Sequence, residues 1–248
     1  MSYETRIERA RELAGRYSFA REILTFYQQV AAFQQKVYEY LAAFPLDHNL
    51  NIELVLPWFP QFLASVRLTG PQALSQSADE LARQNPSQWS ILLTSYWSGS
   101  SLSPHDTFFA RAFLQPYAEQ LASTSPRQGS RLCPVCGRKP VAGVLREKDL
   151  GAKRSLVCSL CATEWHFDRL ACPSCGETSA EAISVYTSDP FDNVRVNTCQ
   201  TCKTYIKTVD LTKNALAVPM VDEIASIPLD LWAQEQGYKK LEMNLLGF

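Results

Sequence analysis

The chain carries four C-x-x-C motifs between residues 133 and 202, which read Cys133-Pro-Val-Cys136, Cys158-Ser-Leu-Cys161, Cys172-Pro-Ser-Cys175 and Cys199-Gln-Thr-Cys202. These motifs contain all 8 cysteines of the 248-residue chain. A C-x-x-C turn presents two sulfur atoms to one ion, whereas a tetrahedral site needs four ligands. Each motif therefore needs a second motif to complete a metal site.

The spacing of the motifs indicates which of them pair. Successive motifs are separated by 21, 10 and 23 residues, and the two longer gaps are close to those between the halves of a four-cysteine zinc ribbon. An interleaved arrangement, in which the 133–136 and 172–175 motifs share an ion, stays open. The spacing favours two separate sites with the following ligands: Cys133, Cys136, Cys158 and Cys161 in site one, and Cys172, Cys175, Cys199 and Cys202 in site two.

The two predicted sites also repeat in sequence, which supports this pairing. Their first motifs share the pattern C-P-x-C-G at an offset of 39 residues, and their second motifs are offset by 41. Gly137 and Gly176 can adopt the positive φ that turns backbone N–H groups toward thiolates. Ala162 and Lys203 follow the second motifs instead, so we expect the two halves of each site to differ. We also expect each repeat to form a small sheet of its own that depends on its ion.

The chemistry of four thiolates limits what these sites bind. Tetrahedral sulfur suits zinc and iron equally well, so we predict two metal ions per chain, iron or zinc. Disulfides would suit a secreted protein, but Arg6, Glu8 and Arg9 interrupt the apolar segment of a signal peptide. We therefore expect reduced cysteines and a cytoplasmic protein. A C-x-x-C dithiol oxidoreductase stays open as an alternative, and it requires one pair with a lowered thiol pKa.

Composition argues against several other functions. The net charge is −1, with 46% hydrophobic and 20% charged residues. A nucleic-acid-binding zinc ribbon normally has a basic excess, so we expect no nucleic-acid partner, although this class remains the second alternative. No run of about 18 apolar residues is present, so we expect no membrane insertion. The chain lacks the common catalytic motifs and has only 3 histidines, so we do not expect an enzyme.

Helical periodicity dominates the first half of the chain and returns after residue 218. Apolar residues recur every three or four positions between Ile23 and Leu41, and Pro45 ends this pattern. Pro71, Pro86 and Pro104 can each begin a further helix. We predict an α-plus-small-β protein, with a polar boundary at 123–130 and these parts: a helical domain at 1–125, tandem rubredoxin-like or zinc-ribbon modules with four cysteines each at 131–170 and 171–212, and a C-terminal helix and tail at 218–248.

The residues that flank the motifs form a more specific pattern. Trp165 and Arg169 follow Cys158-Ser-Leu-Cys161, Tyr205 and Lys207 follow Cys202, and the chain closes with Glu235-Gln-Gly-Tyr238 and Asn244-Leu-Leu-Gly-Phe248. Together with the two C-P-x-C-G motifs, this pattern resembles the FdhE family of formate dehydrogenase accessory proteins. The resemblance covers roughly half of the chain, from residue 131 to the end.

The resemblance implies a function that the residues alone do not. It implies a bacterial cytoplasmic protein that is required to mature active formate dehydrogenase, that acts on the catalytic subunit, and that takes no part in formate oxidation. It also implies two rubredoxin-like or zinc-ribbon modules whose metal sites are structural or redox-sensing, with iron as a candidate metal. These roles carry over to the eight cysteines, and they do not identify the residues that contact the client enzyme.

Overall fold

The N-terminal half of the protein is helical, and a small sheet follows it, as the sequence predicted. The computed structural model describes residues 2–122, 130–148 and 151–247. In the first of these ranges the α-helices are α1 (Tyr3–Arg16), α2 (Arg21–Leu41), α3 (Ile52–Val55), α4 (Phe59–Thr69), α5 (Gln72–Ala82), α6 (Pro86–Trp97) and α7 (Pro104–Ala122).

Polar side chains and prolines set where these helices begin. At the start of α6, Asn85 Oδ1 accepts the backbone N–H of Gln88 at 3.0 Å, and the Gln88 side chain accepts the N–H of Asn85 at 3.1 Å. This reciprocal cap satisfies two of the N–H groups that a helix leaves without partners. Ser103 caps α7 in a similar way, because its hydroxyl accepts the N–H of Asp106 at 3.1 Å.

The aromatic side chains of the helical half form its core. Phe59, Phe62, Phe109 and Phe113 are each at most 1% exposed. The ring centroids of Phe59 and Phe113 are 4.9 Å apart in an edge-to-face contact, the geometry that aromatic quadrupoles favour. The helices α2, α4 and α7 therefore pack around a continuous aromatic centre.

Pro116 lies inside α7, where a proline removes one helical hydrogen bond. It cannot donate to the carbonyl of Ala112, four residues earlier. Gln34 of α2 replaces the missing donor, since its Nε2 donates to Ala112 O at 2.7 Å. Both Gln34 and Gln115, which accepts a second bond from the same nitrogen at 3.1 Å, are buried. The proline is thus accommodated by a side chain from the neighbouring helix.

The cysteine region forms one sheet. Its strands are β1 (Pro140–Lys148), β2 (Gly151–Cys158), β3 (Glu164–His166), β4 (Ile183–Thr187), β5 (Val194–Cys199), β6 (Thr204–Asp210) and β7 (Lys239–Lys240). They follow the order β3-β2-β1-β6-β5-β4, and the short strand β7 pairs in parallel with the start of β6.

The sheet joins the two sequence repeats, so the expectation of a separate sheet for each repeat is wrong. Strand β1 of the first repeat pairs in parallel with β6 of the second. Gly143 permits this contact, because a Cβ there would lie 2.4 Å from Thr208 Oγ1. Two small sheets have little core of their own, whereas one larger sheet buries a common face.

Two further helices, α8 (Pro219–Ala225) and α9 (Ile227–Glu235), pack on that face. Met220 contacts Val144 and Val157 of the sheet in one buried cluster. Pro228 lies in the first turn of α9, where its missing N–H would have no helical partner in any case. An ion pair at 2.6 Å between Arg9 and Asp222, both 4% exposed, joins α8 to α1.

The polar boundary predicted at 123–130 lies outside the described residues, apart from Ser130. The domain limits therefore stay predictions. Within the described ranges, no helix has the length and apolar character needed to cross a membrane.

Candidate metal centres

Site one brings together the four cysteines that the spacing assigned to it. The sulfur atoms of Cys133, Cys136, Cys158 and Cys161 all lie within 4.8 Å of one another. The shortest separations are 3.3 Å between Cys136 and Cys158 and 3.5 Å between Cys133 and Cys161. A disulfide would need about 2.05 Å, whereas four sulfurs at about 2.3 Å from a tetrahedral ion lie roughly 3.8 Å apart. The cluster therefore has the dimensions of a metal site.

Site two has the same construction. Cys172, Cys175, Cys199 and Cys202 form the second group within 4.8 Å. The sulfurs of Cys172 and Cys202 are 3.7 Å apart, and so are those of Cys175 and Cys199. The structure thus places together the two sets predicted as separate sites and not the interleaved sets. Each group could hold one metal ion.

The turn after each motif shapes the clusters. Gly137 and Gly176 have φ values of 71° and 86°, and Ala162 and Lys203 have φ values of 52° and 54°. All four motifs therefore end in the same left-handed turn. The expectation that the second motifs differ because they lack glycine is therefore wrong for the backbone. Ala162 and Lys203 adopt the left-handed conformation although it is unfavourable for residues with a Cβ.

Replacing Ala162 with glycine is therefore expected to stabilise the metal-loaded protein. Removing the Cβ relieves the left-handed conformation, and the added flexibility of the unfolded chain offsets part of this gain, which leaves about 0.5–1 kcal/mol. Denaturant unfolding would measure the change. Ala152→Gly, in β2, is the matched control and should lose about 0.5–1 kcal/mol. Destabilisation by both variants would contradict the prediction.

Backbone N–H groups directed at the thiolates were expected in the first motifs, but hydroxyl contacts with the sulfurs were not predicted from the sequence. The N–H groups of Leu160 and Ser174 donate to Cys158 Sγ and Cys172 Sγ, each at 3.4 Å. The hydroxyls of Thr163 and Thr204 lie 3.1 Å from Cys161 Sγ and 2.9 Å from Cys202 Sγ. The signal was present, because a threonine stands two residues after the last cysteine in both repeats. Such donors stabilise thiolates and tune a bound metal.

The surroundings of the two sites differ. In site one, Cys133, Cys158 and Cys161 are buried, and all three belong to the hydrophobic core that includes the helical half. In site two, Cys175 is exposed and Cys202 is half-buried. Site one therefore lies inside the protein, and site two opens to solvent on one side.

The thiol pKa values shift in both directions within each site, so they do not follow the difference in burial between the sites. Hydrogen bonds from neighbouring thiols lower the pKa of Cys133 in site one, and burial raises the pKa of Cys172 in site two. Burial raises the pKa of the Cys158 thiol. Burial also opposes ionisation of Cys202, but hydrogen bonds from the Thr204 hydroxyl and N–H outweigh it and lower the pKa of Cys202 to about 6. Metal binding requires thiolates, so a bound ion would have to supply the ionisation energy of thiols such as Cys158, whose pKa is raised.

Arg111 connects site one to the rest of the molecule. This buried residue of α7 donates from Nε and Nη2 to the carbonyl of Ser159, which lies inside the second motif of the site, at 3.1 and 2.9 Å. Its Nη1 donates to the carbonyls of Met243 and Asn244 at 2.7 and 3.1 Å. The C-terminal tail thus docks on the protein's own surface, and it shares Arg111 as an anchor with the metal site.

The histidines lie away from the clusters. Among the described residues, neither group of candidate ligands includes a histidine. His105 Nδ1 is 2.8 Å from the hydroxyl of Ser77, and His166 is exposed on β3. With four sulfurs each, both shells are complete without a further ligand. Such sites hold zinc structurally or hold iron in a rubredoxin-like form.

Fold and sites together define a class of protein, one in which a helical domain carries two tandem four-cysteine modules of rubredoxin-like or zinc-ribbon type. Comparisons with known proteins narrow this class. Residues 132–169 match the family model described as FdhE, central domain, and residues 170–246 match FdhE, C-terminal domain. Each matched segment contains one complete set of four cysteines.

Individual relatives agree with these matches. A protein FdhE homolog of Aquifex aeolicus is 33% identical over 203 residues, which cover 80% of this chain and 72% of that protein. A homolog of Pseudomonas aeruginosa is 30% identical over 218 residues, or 82% and 70% of the two chains. The crystal structure of the FdhE protein from Pseudomonas aeruginosa aligns with a TM-score of 0.74 and 26% identity, covering 99% of this chain and 95% of that one. The chain belongs to the FdhE family, as the flanking residues of its motifs indicated.

Proposed function

We propose that this protein is an accessory factor for formate dehydrogenase, needed for the enzyme to mature and acting through binding to its catalytic subunit in the cytoplasm. One observation carries the proposal: the chain is an FdhE relative in which both four-cysteine clusters are complete and have metal-site dimensions. The proposed ligands are the eight cysteines, and the proposed ions are two per chain, iron or zinc.

The architecture supports a binding role in preference to a catalytic one. The four-sulfur shells have no position for a substrate, and the histidines among the described residues lie outside them. Site one is tied to the helical half through Arg111, so its ion would hold the relative position of helices, sheet and tail. A metal used in this way keeps a binding surface in shape, and an iron ion could in addition report redox state to that surface.

The test is complementation in a bacterium that lacks its own FdhE. The parent chain should restore formate-dependent dye reduction in cell extracts, and a tagged copy should retain the formate dehydrogenase catalytic subunit during purification. Cys136→Ser and Cys175→Ser should reduce both readouts, because each removes one ligand from a site.

Thr201→Ser is a suitable control for Cys175→Ser. Thr201 lies within the second motif of site two and its hydroxyl donates to Glu177 at 2.9 Å, a bond that serine can retain. This variant should behave like the parent. Restoration of activity by the parent chain without any retained catalytic subunit would contradict the proposed binding. Failure to restore activity, with both metal sites loaded, would contradict the accessory function.

A further inference from the structure

Arg154 is a buried arginine that has no carboxylate partner among the described residues. It lies on β2 in the first module and is 3% exposed. Its Nη1 donates to the carbonyl of Ala171 at 3.0 Å, and the carbonyls of Arg169 and Asp168 lie at 3.4 and 3.5 Å. Its Nε and Nη2 have no hydrogen-bond acceptor within the part of the chain that the structure describes.

The other buried arginines are satisfied in two ways: Arg111 donates only to backbone carbonyls, whereas Arg6 and Arg9 face carboxylates. Arg6 makes a bidentate pair with Glu119 at 2.8 and 2.9 Å, and Arg9 makes one with Asp222 at 3.0 and 2.6 Å. A buried guanidinium without an opposing charge is costly. Burial lowers the pKa of Arg154 to about 10, and the negative charge of the Cys172 thiolate counteracts that shift. The negative charge that offsets the burial of Arg154 thus belongs to a ligand of site two.

The position of Arg154 is also geometrically coupled to site two. Ala171, whose carbonyl it holds, immediately precedes Cys172. A cavity of about 10 Å³ lies between the modules, and its lining includes Arg154, Cys172, Cys199 and Asn197. Asn197 Oδ1 is buried and likewise lacks a described hydrogen-bond partner. A cavity of this size takes about one water molecule, which could join unsatisfied donors and acceptors of this kind.

Four thiolates around a divalent ion have a net charge of −2, and burying that charge requires nearby positive groups or donors. We propose that Arg154 of the first module is the counter-cation and positioning residue of site two, so that metal binding in the second module depends on a side chain from the first. This inference rests on the proposed use of both clusters as metal sites. It explains why a guanidinium is retained in the interior without a carboxylate.

Arg154→Gln tests this inference in zinc-loaded protein titrated with a chromogenic chelator. Removing the charge should weaken the ion of site two by about 10–100-fold, the usual effect of groups that support metal ligands, and should change site one by less than about 3-fold. Arg154→Lys keeps the charge and should recover most of the loss. The ion released first is assigned by comparison with Cys175→Ser, which lacks a complete site two.

Arg146→Gln is the control for a charge removed from the same sheet. Arg146 pairs with Glu164 at 2.8 Å on the surface, and its loss should leave both affinities unchanged. In iron-loaded protein, Arg154→Gln should lower the reduction potential of site two and Arg154→Lys should restore it, because a nearby cation favours the more negative reduced form. A purely structural role would not move the potential with charge in this way.

The outcomes separate this inference from the proposed function. Parent protein with two ions, together with an Arg154→Gln variant of parental affinity and potential, would overturn the role of Arg154 and leave the metal sites standing. Equal weakening of both ions would also overturn it. Parent protein with fewer than two ions would contradict the proposed sites themselves. If Arg154→Gln does not fold, Arg154→Met takes its place as the uncharged variant beside Arg154→Lys. Equal affinity and potential of site two in these two variants would overturn the role of the charge.

Discussion

Cys158→Ser is expected to remove one of two metal ions and to unfold the first four-cysteine module. Cys158 is fully buried in the core shared with the helical half. A structural zinc ion contributes about 10–16 kcal/mol to the folding of zinc-finger peptides. This free energy exceeds what the small first module gains from its own packing. Elemental analysis should give about one ion per chain, and circular dichroism should show a large loss of thermal stability.

The effect should also reach the C-terminal tail. Arg111 holds the carbonyl of Ser159 and those of Met243 and Asn244 at the same time. When the second motif of site one loses its ion, Arg111 loses its fixed acceptor, so the tail loses part of its anchor. Hydrogen exchange should therefore speed up at the amides of residues 158–161 and also at residues 245–247.

Cys175→Ser is the matched comparison. It also removes one ligand and one ion, but Cys175 is exposed and Arg111 does not contact its site. Exchange in site one and at the tail should then stay closer to the parent than in Cys158→Ser. Two ions retained in Cys158→Ser, or equal loss of tail protection in both variants, would show that site one does not organise the molecule in this way.

The sequence predicted the local features of the fold and of the two sites, but not the long-range pairing of strands. The grouping of cysteines followed from spacing and repetition, because a C-x-x-C turn and its glycine are local structures. The helix starts at Pro86 and Pro104 were also predictable, since proline and its capping neighbours act within one turn. The parallel pairing of β1 with β6 was not predictable, because paired residues such as Gly143 and Thr208 lie 65 positions apart and no local pattern specifies their register.

The burial of charged residues could not be predicted either, because it also depends on contacts between distant parts of the chain. Arg154 and Lys207 lie in strands where a charged residue normally faces solvent, and their sequence neighbours do not show what covers them. Their burial depends on the joining of the modules and on the packing of α8 and α9. The left-handed turns at Ala162 and Lys203 were hidden too, because neither residue type favours that conformation.

Lys207→Met is expected to destabilise the protein by about 3–5 kcal/mol, because it unbalances a buried cluster of charges. Lys207, Lys240, Glu223 and Asp230 are each at most 2% exposed in their side chains. Lys207 Nζ lies 3.1 Å from Glu223 Oε1, Lys240 Nζ lies 2.9 Å from Asp230 Oδ1, and Lys207 also pairs with Asp230 and Lys240 with Glu223. Two positive and two negative groups give a neutral set, which the variant would leave with one uncompensated carboxylate.

The pH dependence of this variant gives a second readout. Burial raises the pKa of Glu223, but the charges of Lys207 and Lys240 outweigh it and keep that pKa below its ordinary value. In the parent, Glu223 therefore stabilises the fold at neutral pH, and this contribution is lost as the pH falls through its folded pKa. Without Lys207, burial prevails and the pKa rises above the unfolded value. The stability deficit of Lys207→Met should then shrink as the pH is lowered from 7 toward 5.

A double variant separates charge balance from simple loss of packing. Lys207→Met with Asp230→Asn leaves Glu223 paired with Lys240, and the amide oxygen can still accept the hydroxyl of Tyr205, which donates to Asp230 Oδ1 at 2.9 Å. If charge balance dominates, the double variant is more stable than Lys207→Met alone, and the double-mutant cycle gives a coupling of the two positions. Lys239→Met, at an exposed neighbouring position, should change stability by less than about 0.5 kcal/mol. If the two losses are additive, Lys207 stabilises the sheet through the packing of its alkyl chain. Its ion pairs with Glu223 and Asp230 would then not be what holds α8 and α9 on the sheet.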